Sequence, residues 1–195
     1  MGLVPRSELI LGGQKSGKSR RAENLAGEWL AASPRHRAVL IATAQPWDDE
    51  MRARIARHQS DRAARVPGLA TVEEPLVLAD ALVRHSHPDT LVVVDCLTLW
   101  LTNLLMPASA QDFKEKESFV DILKAQSATL LIAIQNAPGP VVMVGNEIGL
   151  GVIPLGRETR AFVDALGLLN QSVAQVCQRV TLMAAGLPLA LKGAP

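Results

Sequence analysis

Residues 12–19, GGQKSGKS, have the residue types and spacing of a phosphate-binding loop. They satisfy the pattern G-x-x-x-x-G-K-[ST], in which glycines let the backbone curl until successive N–H groups face phosphate oxygens. The start of the following helix adds a favourable dipole. The predicted nucleotide contacts of the loop are Gly12, Gly13, Gln14, Lys15, Ser16, Gly17, Lys18 and Ser19. Lys18 would reach the β- and γ-phosphates and Ser19 would hold Mg²⁺.

The alternative interpretation of this loop is a glycine-rich turn that binds nothing. A short apolar run precedes it and a helical pattern follows it, which is the context that the phosphate-binding function requires. The sequence therefore favours phosphate binding.

Asp95 follows the apolar run TLVVV and is the candidate for a second metal-binding carboxylate. A carboxylate at the end of a strand that neighbours the phosphate loop is where a Walker-B aspartate lies. The alternative is that Asp95 caps a helix that begins at Leu97 or Thr98. The predicted metal site is therefore Ser19 with Asp95.

The segment DDEMRARIARHQSDR, residues 48–62, combines an acidic start, several arginines and one histidine. Met51, Ile55, His58 and Arg62 fall on one face of a predicted helix. A hydrogen-bonded histidine at the rim of the core and a solvated charge run are both open interpretations. A third is that nearby arginines keep the imidazole neutral, the form that a nucleophile requires, and attract a phosphate-bearing ligand.

Apolar runs alternate with helical periodicity along the chain. Predicted strands are 8–13, 38–44, 69–74, 90–98 and 140–147, with a strand, turn and strand from 180 to 191. Predicted helices are 19–32, 48–62, 75–85, 113–137 and 157–179, with loops at 106–112 and 146–156. Glycines in the second loop would allow it to move over the site.

Strands that are apolar on both faces and alternate with helices indicate a mostly parallel sheet covered on both sides. With the phosphate loop, the pattern predicts an α/β, RecA-like P-loop NTPase fold of three layers with an antiparallel edge. Residues 1–7 contain LVPR, part of an engineered protease site, and are set aside from the fold. Residues 8–195 are predicted to form one domain.

Composition limits the function classes. Aromatic residues make up 3% of the 195 residues and the net charge is +1, which argues against nucleic acid as a partner. No apolar run approaches the ~18 residues of a membrane span. Cys96 and Cys177 are far apart and form no CxxC, which favours a reducing cytoplasm and disfavours a structural zinc site.

Several blocks together resemble the bifunctional adenosylcobinamide kinase/adenosylcobinamide-phosphate guanylyltransferase family. They are GGQKSGKSRRAE, ATAQPWDDEMRARIARHQSDR, VVVDCLTLWLTNLL and VGNEIGLGVIPLGRETRAFVDALGLLNQSVAQ, followed by GLPLALK. The resemblance runs from Leu9 to about Lys192. The chain departs from the family pattern at Gln14 and Lys15, and it lacks a tryptophan between Arg62 and Glu73.

The resemblance implies two reactions in cobalamin biosynthesis. ATP or GTP phosphorylates the aminopropanol hydroxyl of adenosylcobinamide, and GTP then gives GMP to that phosphate. The products are adenosylcobinamide-GDP and pyrophosphate. In the family the guanylyl group first rests on a histidine, which the match places at His58.

The resemblance also implies further nucleotide-binding residues, Thr43, Ala44, Gln45, Arg62, Glu73 and Asp95, and a homo-oligomer, a trimer in particular. Apolar Trp100 and Leu101 are candidates for its interface. Two other functions stay open: a P-loop small-molecule kinase without guanylyl transfer, for which His58 is the discriminating residue, and a RecA-like nucleotide-dependent binding module.

Overall fold

The computed structural model describes residues 4–46, 48–105 and 116–193. The strands are β1 (Ser7–Gly12), β2 (Arg37–Ala42), β3 (Leu69–Glu73), β4 (Thr90–Asp95), β5 (Val141–Val144), β6 (Arg179–Ala184) and β7 (Leu187–Lys192). The helices are α1 (Lys18–Ala32), α2 (Asp49–Arg65), α3 (Leu78–His85), α4 (Leu97–Leu105), α5 (Lys116–Asn136) and α6 (Arg157–Val176).

The seven strands form one sheet in the order β3-β2-β4-β5-β1-β6-β7. Strands β1 to β6 pair in parallel, and β7 pairs antiparallel with β6 at the edge. The predicted P-loop-type α/β fold with an antiparallel edge is confirmed. Because β1 to β6 are parallel, their carboxyl ends share one edge of the sheet.

Two apolar cores lie on opposite faces of the sheet, and successive residues of one strand enter different cores. Leu9 packs in a core with α3, α4, α5 and α6, whereas Ile10 packs in a core with α1. Val92 and Val93 divide between the two cores in the same way. This division explains why the inner strands are continuously apolar, as parallel strands buried on both faces must be.

The segment 96–105 differs from its prediction. The strand predicted for 90–98 ends at Asp95, and α4 begins at Leu97. Trp100 and Leu101 of α4 are fully buried within the single chain, and the Trp100 indole donates to the Leu76 carbonyl at 2.8 Å. They therefore cannot supply an interface between subunits, because they already fill the core.

Smaller differences lie at element ends. The predicted helix 75–85 begins only at Leu78, because the Glu74 carboxylate accepts hydrogen bonds from the amides of Leu76 and Val77 and holds a turn there. Ser7, set aside with the N-terminal segment, is the first residue of β1. The predicted loop 106–112 and the first residues of the helix predicted for 113–137 lie outside the described residues.

Among the described residues, no helix is both long and apolar enough to cross a membrane. The functional residues predicted from the sequence all fall at or just after the carboxyl end of a strand, or on α1 and α2.

Replacing Trp100 with alanine tests the assignment of α4 to the core. The change removes a fully buried indole and its hydrogen bond, so the free energy of unfolding in urea should fall by about 3–5 kcal/mol. Val83→Ala, on the exposed side of α3, should change it by no more than about 0.5 kcal/mol. Equal effects of the two changes would contradict the core assignment.

Candidate active site

The phosphate loop follows β1 directly, and its first glycine is required by the surrounding backbone. Gly12 has φ +153°, and a Cβ there would lie 2.5 Å from both the Met183 carbonyl oxygen and the Ser16 hydroxyl. The Glu147 amide donates to the Gly12 carbonyl at 3.0 Å, and the Gly186 amide donates to the Ser16 carbonyl at 3.1 Å. The loop is therefore fixed between the segment after β5 and the β6–β7 turn.

Lys18 opens α1 and curls back over the loop. Its side chain is largely buried, and its Nζ donates to the Gly13 carbonyl oxygen at 2.6 Å. Burial lowers the pKa of Lys18 below 10.5, while the Asp95 carboxylate acts in the opposite direction. A bound phosphate chain would compensate that burial with its own negative charge.

Asp95 ends β4 and lies opposite Ala42 of β2 and Val144 of β5. Asp95 is half-buried, and its negative charge favours the charged form of Lys18. The carboxylate therefore interacts electrostatically with the phosphate loop. Ser19 lies in the first turn of α1 and is also half-buried. A hydroxyl and a carboxylate are hard oxygen donors, which suit Mg²⁺ completed by phosphate oxygens and water. The residues present fit that ion.

Thr43 is completely buried and clamps two strand ends together. Its hydroxyl donates to the Cys96 carbonyl at 2.7 Å and accepts from the Cys96 amide at 2.8 Å. Its own carbonyl accepts from the Asn103 side chain at 2.7 Å. With its polar groups engaged in this way, Thr43 fixes the path of Ala44 and Gln45, the next two predicted nucleotide-binding residues.

A cleft of about 170 Å³ opens between the ends of β2 and β3 and the helix α2; it is called the α2 cleft below. Its lining residues are Ala44, Pro46, Arg52, Ile55, Ala56, Gln59 and Glu73. The Gln59 side chain donates to the Glu73 carboxylate at 3.2 Å, which links α2 to the end of β3. Two predicted nucleotide-binding residues, Ala44 and Glu73, are thus brought together.

His58 lies in α2, between Ile55 and Gln59 of the cleft lining. The helix begins at Asp49, and the Asp48 carboxylate caps it by accepting from the Met51 amide at 2.6 Å. The acidic start of this segment therefore caps the helix, and its carboxylates complement the positive end of the helix dipole. The backbone position of His58 places it along the same helix wall that borders the α2 cleft.

Arg62 is predicted to bind the nucleotide, but its side chain contacts other side chains of the protein. It is buried, with its Nε 3.7 Å from Glu23 of α1 and its guanidinium donating to the Thr71 hydroxyl at 3.3 Å. Arg65 lies 3.1 Å from the other oxygen of Glu23. Glu23 was not predicted to be a functional residue. Its position among the buried residues Ala22, Leu25 and Ala26 of α1 was the signal in the sequence that this carboxylate would need a partner.

The remaining histidines differ in their surroundings. His87 is exposed, but His36 stacks on Trp29 with ring centroids 3.7 Å apart, and its Nδ1 is 2.7 Å from the Trp29 carbonyl. His36 is therefore a packing residue, because its ring covers the indole face.

A second, larger groove of about 530 Å³ lies between the segment 148–154 and α6. Its wall is mostly apolar, with Val152 and Ile153 exposed, and Arg160 of α6 donates to the Pro154 carbonyl at 2.9 Å. The segment starts beside the phosphate loop, because Glu147 is bonded to Gly12. The predicted loop at 146–156 is confirmed, whereas its movement over the site stays a prediction.

The family model of cobinamide kinase / cobinamide phosphate guanyltransferase matches residues 8–191. The chain belongs to this family.

Relatives agree over nearly the full length. The chain is 46% identical over 189 residues to the bifunctional adenosylcobalamin biosynthesis protein CobP of Pseudomonas aeruginosa, covering 96% of this chain and 98% of that protein. It is 34% identical over 187 residues to the bifunctional adenosylcobalamin biosynthesis proteins CobU of Escherichia coli and Salmonella typhimurium, with 94% of this chain and 98% of each relative covered.

Membership in the cobinamide kinase / cobinamide phosphate guanyltransferase family confirms the predicted enzyme class and pair of activities. A kinase and a guanylyltransferase both act on nucleotide substrates, so a nucleotide site is required. The structure brings the phosphate loop, Asp95, Ala44 and Glu73 to one edge of the sheet, which is the edge where open α/β sheets bind ligands.

Alanine substitutions at two adjacent glycines test the phosphate loop of this family member. Gly12→Ala should lower the free energy of unfolding by about 1–3 kcal/mol, because its Cβ would strain the backbone against Met183. Gly13→Ala meets no atom within 4 Å and should change stability by no more than about 0.5 kcal/mol. Thermal unfolding of both variants without nucleotide makes the comparison, and equal stabilities would contradict the loop geometry.

Proposed function

We propose that this chain phosphorylates adenosylcobinamide with ATP or GTP and then transfers GMP from GTP, through a covalent bond to His58, to adenosylcobinamide phosphate. The observation that carries the proposal is the placement of a phosphate loop and of the α2 cleft, with His58 in its helix wall, at one edge of the sheet. Family membership supplies the two acceptors.

In the kinase step, the substrate hydroxyl oxygen attacks the γ-phosphorus, and the bond from that phosphorus to the bridging oxygen breaks. The nucleoside diphosphate leaves and the hydroxyl proton passes to solvent. Positioning and charge neutralisation are the main demands of such a reaction. The amides of the loop orient the phosphate oxygens and Lys18 neutralises their charge. Ser19 and Asp95 would hold Mg²⁺, which would neutralise further charge on the phosphates.

In the guanylyl step, an imidazole nitrogen of His58 attacks the α-phosphorus of GTP, and the bond to the β-phosphate oxygen breaks. Pyrophosphate leaves, and GMP remains on the histidine. A phosphate oxygen of the corrinoid substrate then attacks the same phosphorus and breaks the N–P bond, which returns the imidazole. Splitting the transfer into two steps lets the two large substrates react separately.

The roles of the other site residues follow from their positions. Ala44, Gln45 and Glu73 are proposed to contact the nucleotide at the α2 cleft, and Thr43 is proposed to act by fixing the backbone before them. Arg62 remains a proposed nucleotide-site residue, now with Glu23 as its charge partner.

The cellular setting and assembly are part of the proposal. Cys96 and Cys177 are free and buried, and burial raises their pKa values to about 11 and about 12. Neutral buried thiols fit a reducing cytoplasm. A homo-oligomer, with three subunits by family resemblance, is proposed without Trp100 or Leu101 in its interface.

Covalent labelling separates this proposal from a kinase without guanylyl transfer. Incubation with Mg²⁺ and GTP labelled at the α-phosphate should leave label on denatured wild-type protein, and the label should be acid-labile and alkali-stable. His58→Ala should abolish the label, whereas His87→Ala, at an exposed histidine, should retain it. Lys18→Ala should lose nucleotide binding itself.

Absence of label from wild type that still phosphorylates cobinamide would leave the kinase as the only activity. Nucleotide binding with neither label nor cobinamide phosphorylation would favour the non-catalytic binding module.

A further inference from the structure

Glu23 of α1 is a buried carboxylate that faces two arginines of α2. Its side chain is 3% exposed, and its oxygens lie 3.7 Å from Arg62 Nε and 3.1 Å from an Arg65 terminal nitrogen. Arg65 also donates to Glu23 at 3.4 Å. The carboxylate therefore contacts two arginines that lie about one helical turn apart at the C-terminal end of α2.

Besides this contact, α2 is tied to β3 by hydrogen bonds from Gln59 to Glu73 and from Arg62 to Thr71. Among the side chains of Asp49–Arg65 that the structure describes, only Arg62 is buried. Most of the others are exposed, Met51 and Ile55 are half-buried, and Val66 just beyond the helix packs in a core. A buried ion pair is costly to break by removing one partner, since the remaining charge stays desolvated. The contact with Glu23 therefore restricts where α2 can lie.

The two ends of this contact are each one helical turn from a reacting group. Glu23 is four residues after Ser19 of the phosphate loop, and Arg62 is four residues after His58. Four residues of α-helix span about 6 Å along its axis. The ion pair thus joins the helix that starts at the phosphate loop to the helix that carries the proposed nucleophile, close to both.

The N-terminal part of α1, which carries Glu23, is held to the sheet by a separate ion pair. Glu8 of β1 is fully buried, lies 2.9 Å from Arg21 and 3.6 Å from Arg179, and accepts from the Thr181 hydroxyl at 2.7 Å. Glu8 lies four residues before Gly12, about 13 Å back along the strand. It anchors α1 to β1 and β6, and none of its contacts among the described side chains is with α2, which makes it a matched control for Glu23.

We propose that Glu23 is a positioning residue for guanylyl transfer: its carboxylate holds Arg62 and Arg65 and thereby sets the placement of His58 relative to the phosphate loop. The inference rests on the proposed role of His58. The kinase step takes its phosphate-binding groups from the phosphate loop and the end of β4, so it depends less on where α2 lies than the guanylyl step does. Loss of Glu23 should therefore separate the two activities.

Glu23→Gln tests this separation, with the rate of covalent GMP labelling and the rate of cobinamide phosphorylation measured on the same preparation. A misplacement of about 1 Å costs a reaction of this kind about 100-fold. We expect labelling by Glu23→Gln to slow by at least about 10-fold, with a clearly smaller loss in the rate of phosphorylation. Arg65→Gln, which leaves Arg62 in place, should act in the same direction with a smaller loss.

Glu8→Gln supplies the structural comparison. It should lower the thermal unfolding temperature as Glu23→Gln does, and it should alter the two activities by similar factors. Glu23→Gln or Arg65→Gln that labels at the wild-type rate would overturn the positioning role while leaving the proposed function intact. Equal losses of both activities in Glu23→Gln and Glu8→Gln would also overturn it. Absence of label from wild type would instead overturn the proposed function and this inference together.

Discussion

Burial of the parallel sheet on both faces confines the chemistry to one edge. The inner strands carry mostly apolar side chains into both cores, and the predicted site residues lie where strands end. Gly12, Thr43, Glu73 and Asp95 lie at such ends or directly after them, and the parallel direction brings them to the same edge. The phosphate loop, the predicted metal ligands and the α2 cleft are consequences of that confinement.

Helix α1 is the common reference for the two proposed reactions. It begins at the phosphate loop, is tied to β1 through Glu8 and Arg21, and meets α2 through Glu23. The kinase step relies mainly on the first of these relations, because its phosphate-binding groups belong to the loop and to β4. A guanylyltransferase with a histidine nucleophile needs the position of a second helix as well, which the buried carboxylate supplies.

Much of the site could be predicted from the sequence, because phosphate loops and buried parallel strands have strong local patterns. The loop at 12–19 and the end of β4 at Asp95 needed only neighbouring residues. Pairings across the fold could not be predicted in this way. Arg62 was assigned to the nucleotide site by the family resemblance, but its burial against Glu23 depends on how α1 and α2 pack. Trp100 was predicted as a candidate for an interface between subunits, because the sequence does not show that its indole bonds to the carbonyl of Leu76, 24 residues away.

The central claim is that His58 carries the guanylyl group, and peptide mass spectrometry tests it most directly. After incubation with Mg²⁺ and GTP, cleavage at arginine releases residues 58–62, HQSDR, which hold one histidine. We expect a GMP adduct on this peptide. Addition of adenosylcobinamide phosphate should remove the adduct and form adenosylcobinamide-GDP in solution. An adduct on any other peptide, or product formed with no adduct at His58, would contradict this claim.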